Sequence, residues 1–395
     1  MGRTASSGRI AARALAVGIF AYEAWFFCAA GKTGDAAAGG TIWALVCTAL
    51  FAFATLADRL ALGRGIFFSA SALAFIPSFI CHLLEERGHM ALTGAEVIAS
   101  QVPFCHIAIA TSILPAALFR TLDFPARLSG ARSAFYPMLA YWLLSLVTVG
   151  RGWCSWVCFY GGIEDGLSSL PRKARLELGG RGPSLRRLNF ALLAFVALAG
   201  LATLVPVYCD WLCPFKAVTE YSEPSTARSY VALIVFVGLF LGLVVALPLL
   251  SRRRTQCAVL CPFGALSSLL DRISPFRVSI DRAACVSCGK CDRSCPMLAL
   301  DPEQRAEGGP ASSCVKCGRC FEACPKRAIG YSFRGSSFRV LPSGGFLAEL
   351  LSPALLLPFT AMSFGMIIST AFSAETMTRL VHLAQTGSFL LGGAR

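Results

Sequence analysis

The chain has 395 residues, of which 55% are hydrophobic and only 15% charged, and it carries a net charge of +14. Typical globular domains are about a quarter charged, so composition excludes an ordinary soluble enzyme and points to a membrane protein. The positive balance does not read as nucleic-acid binding, because the basic residues gather at the ends of apolar segments (Arg120, Arg127 and Arg132; Arg172, Lys173, Arg175, Arg181, Arg186 and Arg187; Arg252, Arg253 and Arg254), as in cytoplasmic loops.

A membrane-crossing helix needs about 20 apolar residues. In chain order such segments lie at 14–30, 41–57, 65–84, 97–119, 134–150, 188–207, 229–250 and 346–372. Pro103 and Pro115 in the fourth, and Pro353 and Pro358 in the last, predict kinks or breaks. The start does not resemble a cleavable signal sequence. The expected fold is an all-α polytopic membrane bundle of seven or eight segments, with a small α+β two-cluster ferredoxin-like domain inserted before the last helix.

Residues 1–133 are expected to be amino-terminal membrane helices whose role no motif assigns. Within them His82 and His106 each follow a cysteine, Cys81 and Cys105, inside apolar segments. Ionisable groups in a membrane are functional candidates by default. These two are candidates for a quinone contact or for axial haem ligation, against the plainer reading of a histidine bonded to a neighbouring helix. Glu23 and the run Glu85-Glu86-Arg87 are further quinol-site candidates, whereas Cys28 and Cys47 read as core or lipid-facing residues.

Residues 134–272 form the expected membrane core. It carries three cysteine pairs at one spacing, Cys154-Ser-Trp-Val-Cys158, Cys209-Asp-Trp-Leu-Cys213-Pro and Cys257-Ala-Val-Leu-Cys261-Pro, each at the end of an apolar segment. Their regular recurrence suggests a repeated unit. On a helix, residues four apart share a face, so each pair is expected to present two thiols one way, and two pairs together four. That pattern fits an additional iron–sulfur, metal or flavin site. The competing readings are cysteine as a small buried apolar residue and, for Cys209 and Cys213, a disulfide. Trp153, Trp156, Tyr160 and Trp211 read as interfacial aromatics.

Residues 273–335 carry the strongest signal. Cys285-x-x-Cys288-x-x-Cys291-x-x-x-Cys295-Pro296 is followed by Cys314-x-x-Cys317-x-x-Cys320-x-x-x-Cys324-Pro325, the bacterial pattern for two [4Fe-4S] clusters. Three closely spaced thiolates wrap one cube and the fourth reaches across to the other. The expected ligands are Cys285, Cys288, Cys291 and Cys324 for one cluster, and Cys314, Cys317, Cys320 and Cys295 for the second. Zinc ribbons would instead offer ligands in two pairs. Residues 336–395 supply a final membrane helix and a tail.

The basic loops at 172–187 and Arg252–Arg254 place the ferredoxin-like domain in the cytoplasm and the nearly neutral stretch 208–228 on the other side. The expected location is the prokaryotic inner (cytoplasmic) membrane.

From Gly150-Arg151-Gly152-Trp153-Cys154 to Ile329, the order of motifs resembles the membrane-bound polyferredoxins. These are the NapH-like and NosR-like proteins of anaerobic respiration and the related copper-reducing oxidase-assembly factors. The sequence departs from them at Phe159, where the family usually has proline. The resemblance implies electron relay between the quinone pool, or a cytoplasmic donor, and a partner reductase or oxidoreductase subunit, with the thiol pairs near the membrane surface. Two other classes are a metal reductase or maturation factor working through exposed thiol pairs, and a redox sensor. No nucleophile–base constellation, phosphate loop or carboxylate pair suggests substrate chemistry of its own.

Overall fold

The computed structural model of the chain describes residues 2–87, 91–92, 106–107, 110, 118, 132–204, 207–216, 221–222, 226–336 and 345–391. Among these, six helices are long and apolar enough to cross a membrane: Ser7–Cys28, Gly34–Leu56, Leu60–His82, Gly182–Thr203, Ala227–Ser251 and Pro353–Thr386.

The first three belong to α1 (Gly2–Cys28), α2 (Gly34–Leu56) and α3 (Leu60–Arg87). The expected segment 97–119 falls almost wholly outside the described residues. The expected segment 134–150 forms α4 (Arg132–Thr148), whose 17 residues are fewer than the expected crossing length. Beyond α4 the chain turns at Gly150, at φ 62°, into a single 3-10 turn, Gly150–Gly152, rather than continuing as an α-helix. It passes into α5 (Trp153–Trp156) and then α6 (Phe159–Ser169). The start of α6 lies deep in the bundle, where Phe159 stacks on Phe75 of α3 with ring centroids 3.9 Å apart. Its end returns to the ferredoxin-like domain, where Arg319 donates to Ser169 Oγ at 2.5 Å. The close approach of α6 to α3 requires Gly162, because a Cβ there would meet the Phe68 carbonyl and Ala72.

Next come α7 (Gly182–Thr203), α8 (Val207–Trp211), α9 (Ala227–Leu239) and α10 (Leu247–Ser251). Between α9 and α10 the helix widens into a π turn at Phe240–Ala246, immediately before Pro248. Proline has no N–H to bond back, and a widened turn accommodates it. A second π turn, Gln256–Leu260, leads into α11 (Pro262–Leu270).

The ferredoxin-like domain pairs β3 (Phe276–Ile280) with β4 (Ile329–Phe333) in antiparallel register, Phe276 opposite Phe333. A two-residue parallel pairing elsewhere joins β1 (Ala91–Leu92) to β2 (Tyr221–Ser222). Between β3 and β4 lie α12 (Lys290–Ser294), α13 (Pro302–Glu307) and α14 (Arg319–Ala323). After α15 (Phe346–Leu350), α16 (Pro353–Ser369) runs through a π turn into α17 (Glu375–Thr386).

The domain is clamped to one end of the bundle by hydrogen bonds from several spans. Glu322 accepts from the Ala61 N–H at the start of α3 at 2.9 Å. Arg186 of α7 donates to Leu298 O at 2.7 Å and pairs with Asp301. Arg253, just past α10, donates to the carbonyls of Asp292 and Cys295. At the opposite end Arg379 of α17 is buried between Glu85 of α3 and Glu375, and His382 pairs with Asp35 of α2.

Candidate iron-sulfur centres

The two cysteine runs build matching loops. Ser287, Gly289 and Leu298 in the first run have positive φ, and so do Lys316, Gly318 and Arg327 at the corresponding places in the second. Gly289 and Gly318 are the N-caps of α12 and α14, at φ 66° and 78°, a backbone shape open to glycine without strain. Cys295 and Cys324 end those helices in extended conformation, each followed by proline. Their sulfurs accept backbone N–H bonds from Ala299 and Ala328, both at 3.3 Å, and Cys314 Sγ accepts from Lys316 N at 3.5 Å.

The eight thiols surround two small hollows. Cys285, Cys288, Cys291 and Cys324 line the first; Cys295, Cys314, Cys317 and Cys320 line the second. Each set therefore takes three cysteines from one run and the fourth from the other. Among the described residues, no three His, Cys, Asp or Glu side chains converge closely enough to hold a single metal ion. Thiols spaced around a hollow fit the corners of an iron–sulfur cube; zinc would draw its sulfurs to about 2.3 Å from one point. Burial pushes the Cys295, Cys314 and Cys320 thiols up, and neighbouring sulfurs add to it. Such thiols would hold their protons in the absence of a metal, and cationic iron would stabilise the thiolate, the displaced proton leaving to solvent.

The two hollows differ in what covers them. Val286 in the first loop is 56% exposed and Cys288 is exposed. Their counterparts Val315 and Cys317 are buried, Val315 to 1%. The cover is the membrane core. Ser155 Oγ donates to Val315 O at 2.5 Å, Trp156 Nε1 to Lys316 O at 3.3 Å and Arg64 Nε to Cys317 O at 3.0 Å. Three consecutive carbonyls of the second loop are thus bound by groups of the bundle. Arg64 also donates to Ser155 O and to Asp165 Oδ2, both at 2.9 Å. Burial alone would raise the Asp165 carboxyl; Arg319, Arg64 and Arg254 outweigh it and hold it below the usual carboxylate range. Sequence reasoning overlooked Arg64 and Asp165, although a charge opening an apolar segment and an acidic pair just after a cysteine motif were the available signals.

The upstream pairs are not two cysteines on one continuous helix. Cys154 lies in α5 and Cys158 is the extended N-cap of α6. Cys257 lies in a π turn, and Cys261 is the extended N-cap of α11, accepting from Gly264 N at 3.4 Å. The Cys-Pro step is thereby explained: proline is suited to the first helical position, where no N–H is needed. Phe159 occupies that position in the first pair with the same geometry, so its departure from proline leaves the loop intact. Arg254 ties the first and third pairs together, donating to Cys154 O at 2.6 Å and Cys257 Sγ at 3.4 Å. Glu164 of α6 accepts the Gln256 and Cys257 N–H groups at 2.8 and 2.9 Å. The second pair joins through Tyr208, whose hydroxyl accepts from Gln256, and through Phe215, stacked on Tyr160 at 4.2 Å. Among the described residues no cysteine is in a disulfide.

His106 Nε2 lies 3.2 Å from Cys158 Sγ, among the rings of Trp153, Tyr160 and Phe263. His82 stands instead beside Glu85 near the other end of α3; Cys105 lies outside the described residues. Trp153, Trp156 and Tyr160 are core residues rather than interfacial ones, both tryptophans being 1% exposed. Trp156 stands against the second loop, whereas Trp153 and Tyr160 pack around His106. Trp211 remains exposed.

Comparison with known families meets this geometry at both levels. The family described as a 4Fe-4S dicluster domain matches residues 277–325. The family described as a 4Fe-4S binding domain matches three times, at 134–177, 188–225 and 233–281, once around each thiol pair. The chain is polyferredoxin-like. Among curated relatives it is 32% identical to the methylamine utilization ferredoxin-type protein MauN of Methylobacillus flagellatus, over 37% of this chain and 48% of that one. It is 32% identical to MauN of Paracoccus denitrificans, over 46% and 60%. It is 26% identical to the ferredoxin-type protein NapH of Haemophilus influenzae, over 39% and 50%. The matches thus span about half the length of these relatives. No solved structure matches the chain.

Proposed function

We propose that the chain is a membrane-anchored electron carrier with two [4Fe-4S] clusters, relaying electrons between the quinone pool, or a cytoplasmic donor, and a partner reductase in anaerobic respiration. The observation that carries this reading is the row of three carbonyls, Val315 to Cys317, hydrogen-bonded by Ser155, Trp156 and Arg64. It joins one cluster loop directly to the loop of the first thiol pair. A bound cluster supplies one-electron oxidation and reduction.

The protein's own residues do the rest. The first set of thiols faces solvent at Cys288, the second is sealed against the bundle, and Arg254 couples the pairs beyond it. Electrons therefore enter or leave at the exposed set and pass inward through the sealed one. The pairs Cys154/Cys158, Cys209/Cys213 and Cys257/Cys261 extend the path as an additional redox site, with His106 at its edge. A quinone exchanges electrons with this inner end.

The basic loops support a cytoplasmic ferredoxin-like domain in a prokaryotic inner membrane. Arg252 donates to Arg172 O at 3.0 Å, and Arg253 reaches the Cys295 loop, so both clusters of positive charge lie at the domain's end of the bundle. A metal-reducing role through exposed thiols is disfavoured, since Cys154, Cys158 and Cys257 are buried.

Anaerobic membranes containing the protein test the relay. A soluble quinone analogue is expected to reoxidise pre-reduced clusters, seen as recovery of their visible absorbance, and Cys257→Ser is expected to slow it. Clusters that stay reduced with quinone present would defeat this reading.

A further inference from the structure

The two loops share one sequence pattern and one backbone shape, so the second serves as an internal reference for the first. In the second, the face formed by Val315, Lys316 and Cys317 is covered by the redox core of the same chain. In the first, the equivalent face, Val286, Ser287 and Cys288, is exposed. Among the described residues its Cys288 carbonyl is met by the Arg293 side chain, at a long 3.5 Å. Lys326 lines the same hollow as Val286 and Cys288, Arg293 reaches the Cys288 carbonyl, and Lys290 follows two residues later; these three, and Arg282 and Arg327 close by in the chain, are all exposed. The acids within these two stretches are both half-buried: Asp281, and Asp292, which is paired with Arg305. Of the exposed acids nearby in the chain, Glu322 of α14 is engaged by the bundle, accepting the Ala61 N–H at 2.9 Å, and Glu303 and Glu307 belong to α13.

We propose that this basic-rimmed face around Cys288 is the docking port for a soluble acidic one-electron carrier protein, which takes the place that the membrane core occupies on the second loop. Val286 supplies an apolar centre and the cations a polar rim, the usual anatomy of a specific contact. Opposite charge steers encounter and fixes orientation, bringing the carrier's redox centre over the least covered thiols. One electron crosses per encounter: the carrier is oxidised by one, the first cluster is reduced by one, and no bond is made or broken. The reverse crossing balances in the same way. The port rests on the electron-carrier reading above, yet docking can be measured without it.

The test uses full-length protein in lipid nanodiscs and an acidic flavodoxin, oxidised, as the probe. Its affinity is compared for the wild type and a triple variant, Lys290→Glu with Lys326→Glu and Arg327→Glu; Arg282 and Arg293 are left in place because they hold backbone carbonyls. The triple variant is expected to bind at least about tenfold more weakly at low salt. Wild-type binding is expected to fall by a similar factor between about 20 and about 300 mM salt, where screening shortens the reach of surface charge, and this arm does not depend on the variant folding. Binding indifferent to both changes would overturn the port. So would charge-dependent capture by phosphatidylglycerol vesicles in place of the flavodoxin. Iron measured in the same samples separates the two claims. An iron-free protein that still docks the flavodoxin in this way removes the carrier reading and keeps the port; an iron-loaded protein that does not dock it removes the port alone.

Discussion

Serine at Cys295 is expected to abolish the cluster of the second run and spare that of the first, although Cys295 closes the first run. The hollow lined by Cys314, Cys317 and Cys320 is completed by Cys295, and the one lined by Cys285, Cys288 and Cys291 by Cys324. Cys295→Ser and Cys317→Ser should therefore lose the same paramagnetic signal, and Cys324→Ser and Cys288→Ser the other one. In each case iron falls from about eight to about four per chain. The two losses will not cost the same stability. The second hollow lies where Arg253, Arg64, Ser155 and Trp156 hold the domain to the bundle, so its variants should also loosen that junction and release the domain to protease. If Cys295→Ser grouped with Cys288→Ser instead, the crossed ligand sets would be wrong.

Replacing Arg64 by leucine is expected to cost about 3–5 kcal/mol, among the largest effects of any single change outside the cysteines. The guanidinium is fully buried and bonded to Cys317 O, Ser155 O and Asp165. Its removal strands two buried carbonyls and leaves Asp165, 1% exposed, with Arg319 at 3.1 Å as its remaining ion-pair partner among the described residues. Lysine should rescue little, because a single ammonium cannot span three acceptors that a planar fork reaches together. Denaturation in detergent micelles measures the loss. Asp165→Asn added to Arg64→Leu should recover part of it, since no uncompensated carboxylate then remains. An Arg64→Leu protein as stable as wild type would show that this junction does not hold the domain in place.

The grouping of eight cysteines around two hollows was legible because three thiols at that spacing gather on one loop while the fourth leaves it. The spans were legible wherever apolar runs coincide with helices, and were misjudged where charge continues a helix. The last one was expected to stop at Phe372, yet it runs to Thr386 because Glu375 and Arg379 are neutralised by each other and by Glu85 from α3. The second begins at Gly34 rather than near Thr41, with Asp35 answered by His382 of α17. Such partners lie hundreds of residues away, and no local pattern announces them. The same holds for Trp153 and Trp156. As isolated aromatics beside a membrane segment they resemble an interfacial belt; the second loop meets Trp156 through Lys316 O, and Trp153 packs on His106, Tyr141 and Phe263. Spacing suggested that each thiol pair shares a helical face, and it failed because the cysteine before proline is an N-cap rather than a helix residue.

Iron, acid-labile sulfide and zinc measured on anaerobically purified full-length protein, together with electron paramagnetic resonance after reduction, probe the two sulfur-lined hollows most directly. About eight irons and about eight sulfides per chain, with a signal from two interacting reduced clusters, are expected; a higher iron count would place further iron at the upstream pairs. A colourless, iron-free protein, or one holding zinc alone, would contradict the electron-carrier account.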